Sequence, residues 1–173
     1  GAGAAVYLLT DMTRLSDPSM NRRFVQLFRV LMRPSEVRAP TGTAYYLLGA
    51  FFSILLFSPV IAIASTLFLV FGDFTAALVG TSIGRIRIFP PRSLEGSAGC
   101  LVACLVVGVA LFWHVKPVWP VAVTLACAGA AAATVAEGAP WRLNDNVTIP
   151  LISGLALRLT ARGLGVVDIP LPW

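Results

Sequence analysis

Charge is scarce in this chain. Only 12% of its 173 residues are Asp, Glu, Lys or Arg, against 57% hydrophobic, a balance foreign to an ordinary soluble domain. Histidine occurs once, as His114 beside Trp113 and away from the acids, which reads as an interfacial residue and not a general base. The three cysteines, Cys100, Cys104 and Cys127, form no CxxC pair, so a metal or disulfide framework gives way to small apolar filler. Tandem repeats, low-complexity tracts and soluble linkers are missing too, and residues 1–173 read as a single membrane domain. A basic start followed by a cleavage pattern is absent, which excludes a signal peptide. The opening GAGAAVYLL reads instead as the tail of a helix, with one or more spans expected upstream of Gly1.

What the chain does have is long uncharged runs. Residues 41–84 hold one charge, Asp73, over far more than the roughly 20 residues that cross a bilayer. The run must therefore fold back, and Ser58-Pro59 is the natural break. Spans are expected over about 41–58, 60–84, 96–115 and 117–137, the last two divided by Lys116 with Trp113 and Trp119 at interfacial depth. A further apolar segment, about 147–163, carries Arg158 and Arg162 and reads as a short span with a snorkelling end or a re-entrant piece. The fold class is all-α: a polytopic transmembrane helical bundle.

A net charge of +5 could suggest nucleic acid, but the placement of the arginines argues for a membrane. Arg14, Arg22, Arg23, Arg29, Arg33 and Arg38 precede the first complete span, and Arg85, Arg87 and Arg92 fill the loop after the second. Counting spans puts both groups, with Arg142, on one side, which the positive-inside rule makes cytoplasmic. Asp17-Pro18 signals a helix start. From there to Arg33, Phe24, Leu27, Phe28, Leu31 and Met32 share one face while Arg22, Gln26, Arg29 and Arg33 share the other. This amphipathic helix suits a membrane surface, its basic face meeting anionic headgroups or a phosphate-bearing substrate.

The chemistry-bearing residues collect on the same predicted side. A carboxylate in a membrane segment costs about 2.5–3.5 kcal/mol at its centre, so Asp73 is expected to have a task. Gly72, Ala76, Gly80 and Gly84 follow at four-residue spacing, a strip suited either to close helix packing or to a nucleotide approaching the backbone. In PPRSLEG, Arg92 and Ser93 at a helix start suggest a phosphate cradle. In EGAPWRLNDNVTIP, Glu137 ends a span and Asp145, Asn146 and Thr148 either cap the last helix or join the site, while Gly138 to Trp141 is turn chemistry. Acids beside arginines suit a Mg²⁺-nucleotide.

Asp73, Ala76, Gly80 and Gly84, followed by Arg92-Ser93-x-Glu95-Gly96, resemble the DxxAxxxGxxxG…K-[ST]-x-E-G signature of the CTP-dependent lipid kinases, the family of dolichol, phytol, farnesol and CTP-dependent diacylglycerol kinases. NDNVTIPL with Glu137 before it is similar to the family's E…DN…P element, and TDMTRLSDPSMN, RPSE and TGTAYYLLG resemble the upstream region of prokaryotic members. Arg92 stands where the family commonly has lysine, Pro91 replaces another frequent basic residue, and the loop after Gly84 is shorter than in dolichol kinases. The resemblance implies transfer of the γ-phosphoryl group of CTP to the hydroxyl of a membrane lipid alcohol, polyprenol or diacylglycerol. It implies Asp73, Glu95, Asp145 and Glu137 as catalytic acids, with Mg²⁺ on Asp73 and Glu95. Ala76, Gly80, Gly84, Arg92, Ser93, Gly96 and Asn146 would bind nucleotide, and Asp11, Arg14, Asn21 and Glu36 form an upstream site of open role. Expected partners are CTP, the lipid acceptor and the bilayer, without nucleic acid, and with homo-oligomerisation left open. Two other readings compete: a CTP:phosphatidate cytidylyltransferase, whose additional acidic C-terminal motif is not found here, and a non-catalytic transporter or scaffold, which clustering of the acids on one face disfavours.

Overall fold

The computed structural model describes residues 2–30, 32–116, 118–140 and 143–166. Leu31, Pro117, Trp141 and Arg142, each used in the sequence reading, lie outside them. The described chain is almost wholly helical and divides into two compact units, Gly1–Leu48 and Gly49–Trp173.

The N-terminal unit holds α1 (Ala2–Ser16), α2 (Pro18–Phe28), a 3-10 turn (Pro34–Val37) and the beginning of α3 (Gly42–Leu56). Asp17 caps α2 by accepting from the amides of Ser19 and Met20, with Pro18 in the first turn. The Ser19 hydrogen bonds hold its exposed carboxyl below the ordinary carboxylate range. On α2 the Phe24 and Phe28 rings lie 4.7 Å apart while Arg22, Arg23, Gln26 and Arg29 are exposed. The helix stops well before Arg33, because Pro34 forces that residue into extended backbone, φ −74° and ψ 149°.

A buried polar cluster organises this unit. Asp11 and Arg14, both fully buried, pair at 2.7 Å. Arg14 then donates to Asn21 Oδ1 (2.7 Å) and to the carbonyls of Glu36 (3.1 Å) and Ala39 (2.8 Å), and stacks over Phe24. The other Asp11 oxygen accepts from the Thr41 amide, and the Glu36 carboxylate spans the amides of Arg33 and Gly42. Asp11, Arg14, Asn21 and Glu36 thus form one network in which donors and acceptors answer each other, as buried charge requires.

Among the described residues of the second unit three helices are long and apolar enough to cross a membrane: Pro59–Ser82, Leu94–Val115 and Trp119–Gly138. The first is composite. Ser58 is its cap position and Pro59 opens it, α4 (Pro59–Phe68) passes through a π-helical turn (Leu69–Asp73), and α5 (Phe74–Ser82) continues. The next two, α6 (Leu94–Val115) and α7 (Trp119–Gly138), form a helical hairpin, with Trp113 and Trp119 edge to face at 5.6 Å by the Lys116 turn. Small residues set their spacing. A Cβ on Gly108 would lie 3.0 Å from that of Ala126, and one on Gly129 would strike Phe68 and Leu157 at 2.5 and 2.8 Å.

The last helix, α8 (Asp145–Gly163), is continuous despite Pro150 within it. Proline has no amide to offer Asn146 four residues earlier, and Gly49 of α3 packs against that carbonyl so closely that any Cβ would collide with it. The Arg158 guanidinium donates to the Leu56 carbonyl at 3.3 Å.

Candidate active site

Between α5 and α6 the chain makes a short antiparallel hairpin, β1 (Arg87–Phe89) and β2 (Arg92–Ser93). Ser93 caps α6 by accepting from the Gly96 amide at 3.1 Å. A cavity of about 470 Å³ lies here, walled by Asp73 and by Ala76, Ala77, Gly80 and Thr81 of α5. The hairpin adds Arg87, Pro90, Pro91, Arg92 and Ser93; Gly96, Glu137 and Asp145 come from the ends of α6, α7 and α8. Its size suits a small-molecule site, about 300–1,000 Å³. The first turns of α6 and α8 both border it, and helix N-termini favour anions.

The π-helical turn places Asp73 at the end of a locally widened helix. Gly72 is buried, where a Cβ would meet the sulfurs of Cys104 and Cys100 at 2.9 and 3.0 Å, while Asp73 borders the cavity. Such turns recur at functional sites, and nothing in the spacing of the sequence announces this one.

Arg92 joins three elements. It holds both oxygens of Asp145 from one nitrogen, at 2.7 and 2.6 Å, donates to the Ala139 carbonyl, and lies 4.0 Å from Glu137 Oε1. Glu137, nearly buried, also accepts from the Ser97 hydroxyl at 3.1 Å. Asp145 is available to Arg92 because Asn144 caps α8, accepting from the Asn146 amide at 3.0 Å. The Thr148 hydroxyl is buried with no hydrogen-bond partner among the described residues.

Of the residues singled out by sequence, Asp73, Ala76, Gly80, Arg92, Ser93, Gly96, Glu137 and Asp145 meet at this cavity. Gly84, Glu95 and Asn146 are not on its wall. The Glu95 carboxylate accepts from the Ile86 amide at 3.2 and 3.3 Å, which fastens the loop before β1. The glycine strip has a packing reason. A Cβ on Gly84 would lie 2.5 Å from Ser93 Oγ, and one on Gly96 would lie 2.8 Å from the Ala76 carbonyl. Asp11, Arg14, Asn21 and Glu36 belong to the buried network of the other unit. Arg87, placed by the sequence among the arginines on this side but not among the site residues, is on the wall as well. Ser97, Ala77 and Thr81 were not singled out, and of these only Ser97 left a signal, one turn beyond Ser93 on the same face.

Among the described residues no group of three His, Cys, Asp or Glu is placed to hold a metal by itself. The oxygen donors on the cavity wall fit Mg²⁺, which takes one or two carboxylates and completes its shell with phosphate and water.

The chain is 30% identical over 161 residues to a CTP-dependent diacylglycerol kinase 1 of Schizosaccharomyces pombe, a match covering 86% of this chain and 73% of that protein. The chain belongs to the CTP-dependent lipid kinase family. It is similar also to proteins of the same name from Eremothecium gossypii, 29% identical over 86% of this chain and 53% of that one, and Saccharomyces cerevisiae, 27% identical over 87% and 59%. This family member therefore spans about half to three quarters of the length of these relatives. No family model matches it, and no solved structure does.

Proposed function

We propose that this protein transfers the γ-phosphoryl group of CTP to the hydroxyl of a membrane lipid alcohol, diacylglycerol before polyprenol, in the cavity bordered by Asp73, Glu137 and Asp145. The observation that carries the reading is the convergence of those three acids with Arg87, Arg92 and two helix N-termini at one cavity, walled in part by membrane-length helices. The names of the yeast relatives favour CTP as donor and diacylglycerol as acceptor. Arg85, Arg87 and Arg92 at this end of the spans favour a cytoplasmic active site in a multi-pass protein.

The acceptor oxygen attacks the γ-phosphorus, the bond to the β–γ bridging oxygen breaks, and CDP leaves. Glu137 takes the hydroxyl proton in this scheme, since Arg92 engages both oxygens of Asp145 and makes it an orienting group. Asp73 would hold Mg²⁺ together with the phosphates and water. That ion supplies neutralisation of phosphate charge when bound. Catalysis then rests mainly on positioning in a site shielded from water. An apolar groove of about 430 Å³ between α3 and α4, lined by Ile54, Phe57, Ile63 and Leu67 among others, suits an acyl chain.

The test is product identity. With diacylglycerol and γ-labelled CTP, purified protein in detergent should release CDP and a labelled lipid monophosphate. Label entering lipid only from α-labelled CTP and phosphatidate would mean cytidylyl transfer instead, and no label in lipid from either would leave a non-catalytic role.

A further inference from the structure

Two cations stand on the cavity wall among the described residues, Arg87 and Arg92, and the structure treats them differently. The Arg92 side chain is 18% exposed. One terminal nitrogen serves both Asp145 oxygens, the other donates to the Ala139 carbonyl, and Nε faces Glu137. A guanidinium has five N–H donors in a fixed fork, and here each nitrogen already faces an acceptor of the protein. An incoming phosphate would have to displace a bidentate carboxylate pair.

Arg87 is exposed on β1. One of its nitrogens donates to the Pro91 carbonyl at 2.6 Å, which ties the side chain across the hairpin at the cavity. Among the described residues its other nitrogens meet no acceptor, and no carboxylate lies within 4.0 Å. A planar, permanently charged fork with free donors at the mouth of an anion-suited cavity is what a polyphosphate recognises.

We infer that Arg87 receives the terminal phosphates of the nucleotide, whereas Arg92 is a positioning residue that holds Asp145 and, through it, the start of α8. This deepens the phosphoryl-transfer reading and rests on it.

The experiment compares wild type, Arg87→Ala, Arg87→Lys, Arg92→Ala and Arg92→Lys, as the full chain in detergent. It measures binding of CTP and CMP, KM for CTP, kcat and melting temperature. Arg87→Ala should weaken CTP binding and raise its KM roughly tenfold or more, the scale of one charge-assisted phosphate contact. It should leave the melting temperature and the binding of CMP, which lacks the terminal phosphates, unchanged, and Arg87→Lys should recover part of the loss. Arg92→Ala should lower kcat with little change in the KM for CTP, and Arg92→Lys, which keeps one contact to Asp145, should recover part of kcat. CTP binding indifferent to Arg87→Ala, or a KM rise in Arg92→Ala matching that of Arg87→Ala, overturns the assignment. A wild-type protein that binds no CTP overturns the underlying reading with it. Should Arg92→Ala fail to fold, the exposed Arg87 variants decide the question alone.

Discussion

Asp73→Asn is expected to lower lipid phosphorylation by at least roughly 100-fold, the usual scale for losing one preorganised electrostatic group, with the melting temperature nearly unchanged. The substitution keeps the shape of the side chain and removes its charge. Asp73 lies at the end of the π-helical turn, at the cavity and beside the buried Gly72 that packs on Cys100 and Cys104. The packing face is therefore left intact while the group proposed to hold Mg²⁺ is weakened. Turnover with saturating CTP and diacylglycerol, alongside thermal unfolding in detergent, checks both halves. Activity within a few-fold of wild type would take Asp73 out of the mechanism.

Asp11→Ala is expected to destabilise the protein by about 3–5 kcal/mol, the range for removing one partner of a buried ion pair. The reason is Arg14, fully buried, whose Nε would lose its carboxylate while the Thr41 amide loses its acceptor. The four upstream residues singled out by sequence thereby have a structural function that needs no ligand. Unfolding by heat and limited proteolysis within the first 48 residues should both register the change, and the KM for CTP of whatever protein remains folded should not. A variant melting like wild type, but with weakened nucleotide binding, would make the cluster part of a site.

Features set by local chemistry were readable in the sequence. Asp17 caps α2 ahead of Pro18 and Pro59 opens α4, because a cap or a first-turn proline acts within one turn of chain. The membrane-length helices follow from apolar runs alone. Arg92, Glu137 and Asp145 could be named because each sits at a helix end, and Asp73 because it is the one charge in its apolar run. Their pairing could not be. Arg92 and Asp145 are 53 residues apart, and only the fold shows that the arginine is occupied by a carboxylate. Glu95 illustrates the same limit: its sequence neighbours suit a metal ligand, yet its carboxylate binds the Ile86 amide. The capping of α8 by Asn144, one residue ahead of the acid, frees Asp145 for the cavity, a distinction too fine for propensity to make.

If the lipid is phosphorylated in this cavity, two tryptophan variants on α5 should differ sharply. Ala77 is exposed and borders the cavity, whereas Leu78, the next residue, is 54% exposed and not on its wall. Transfer of label from γ-labelled CTP to diacylglycerol should fall to background in Ala77→Trp, which fills the site, and persist in Leu78→Trp. Equal activity in the two variants would contradict the account.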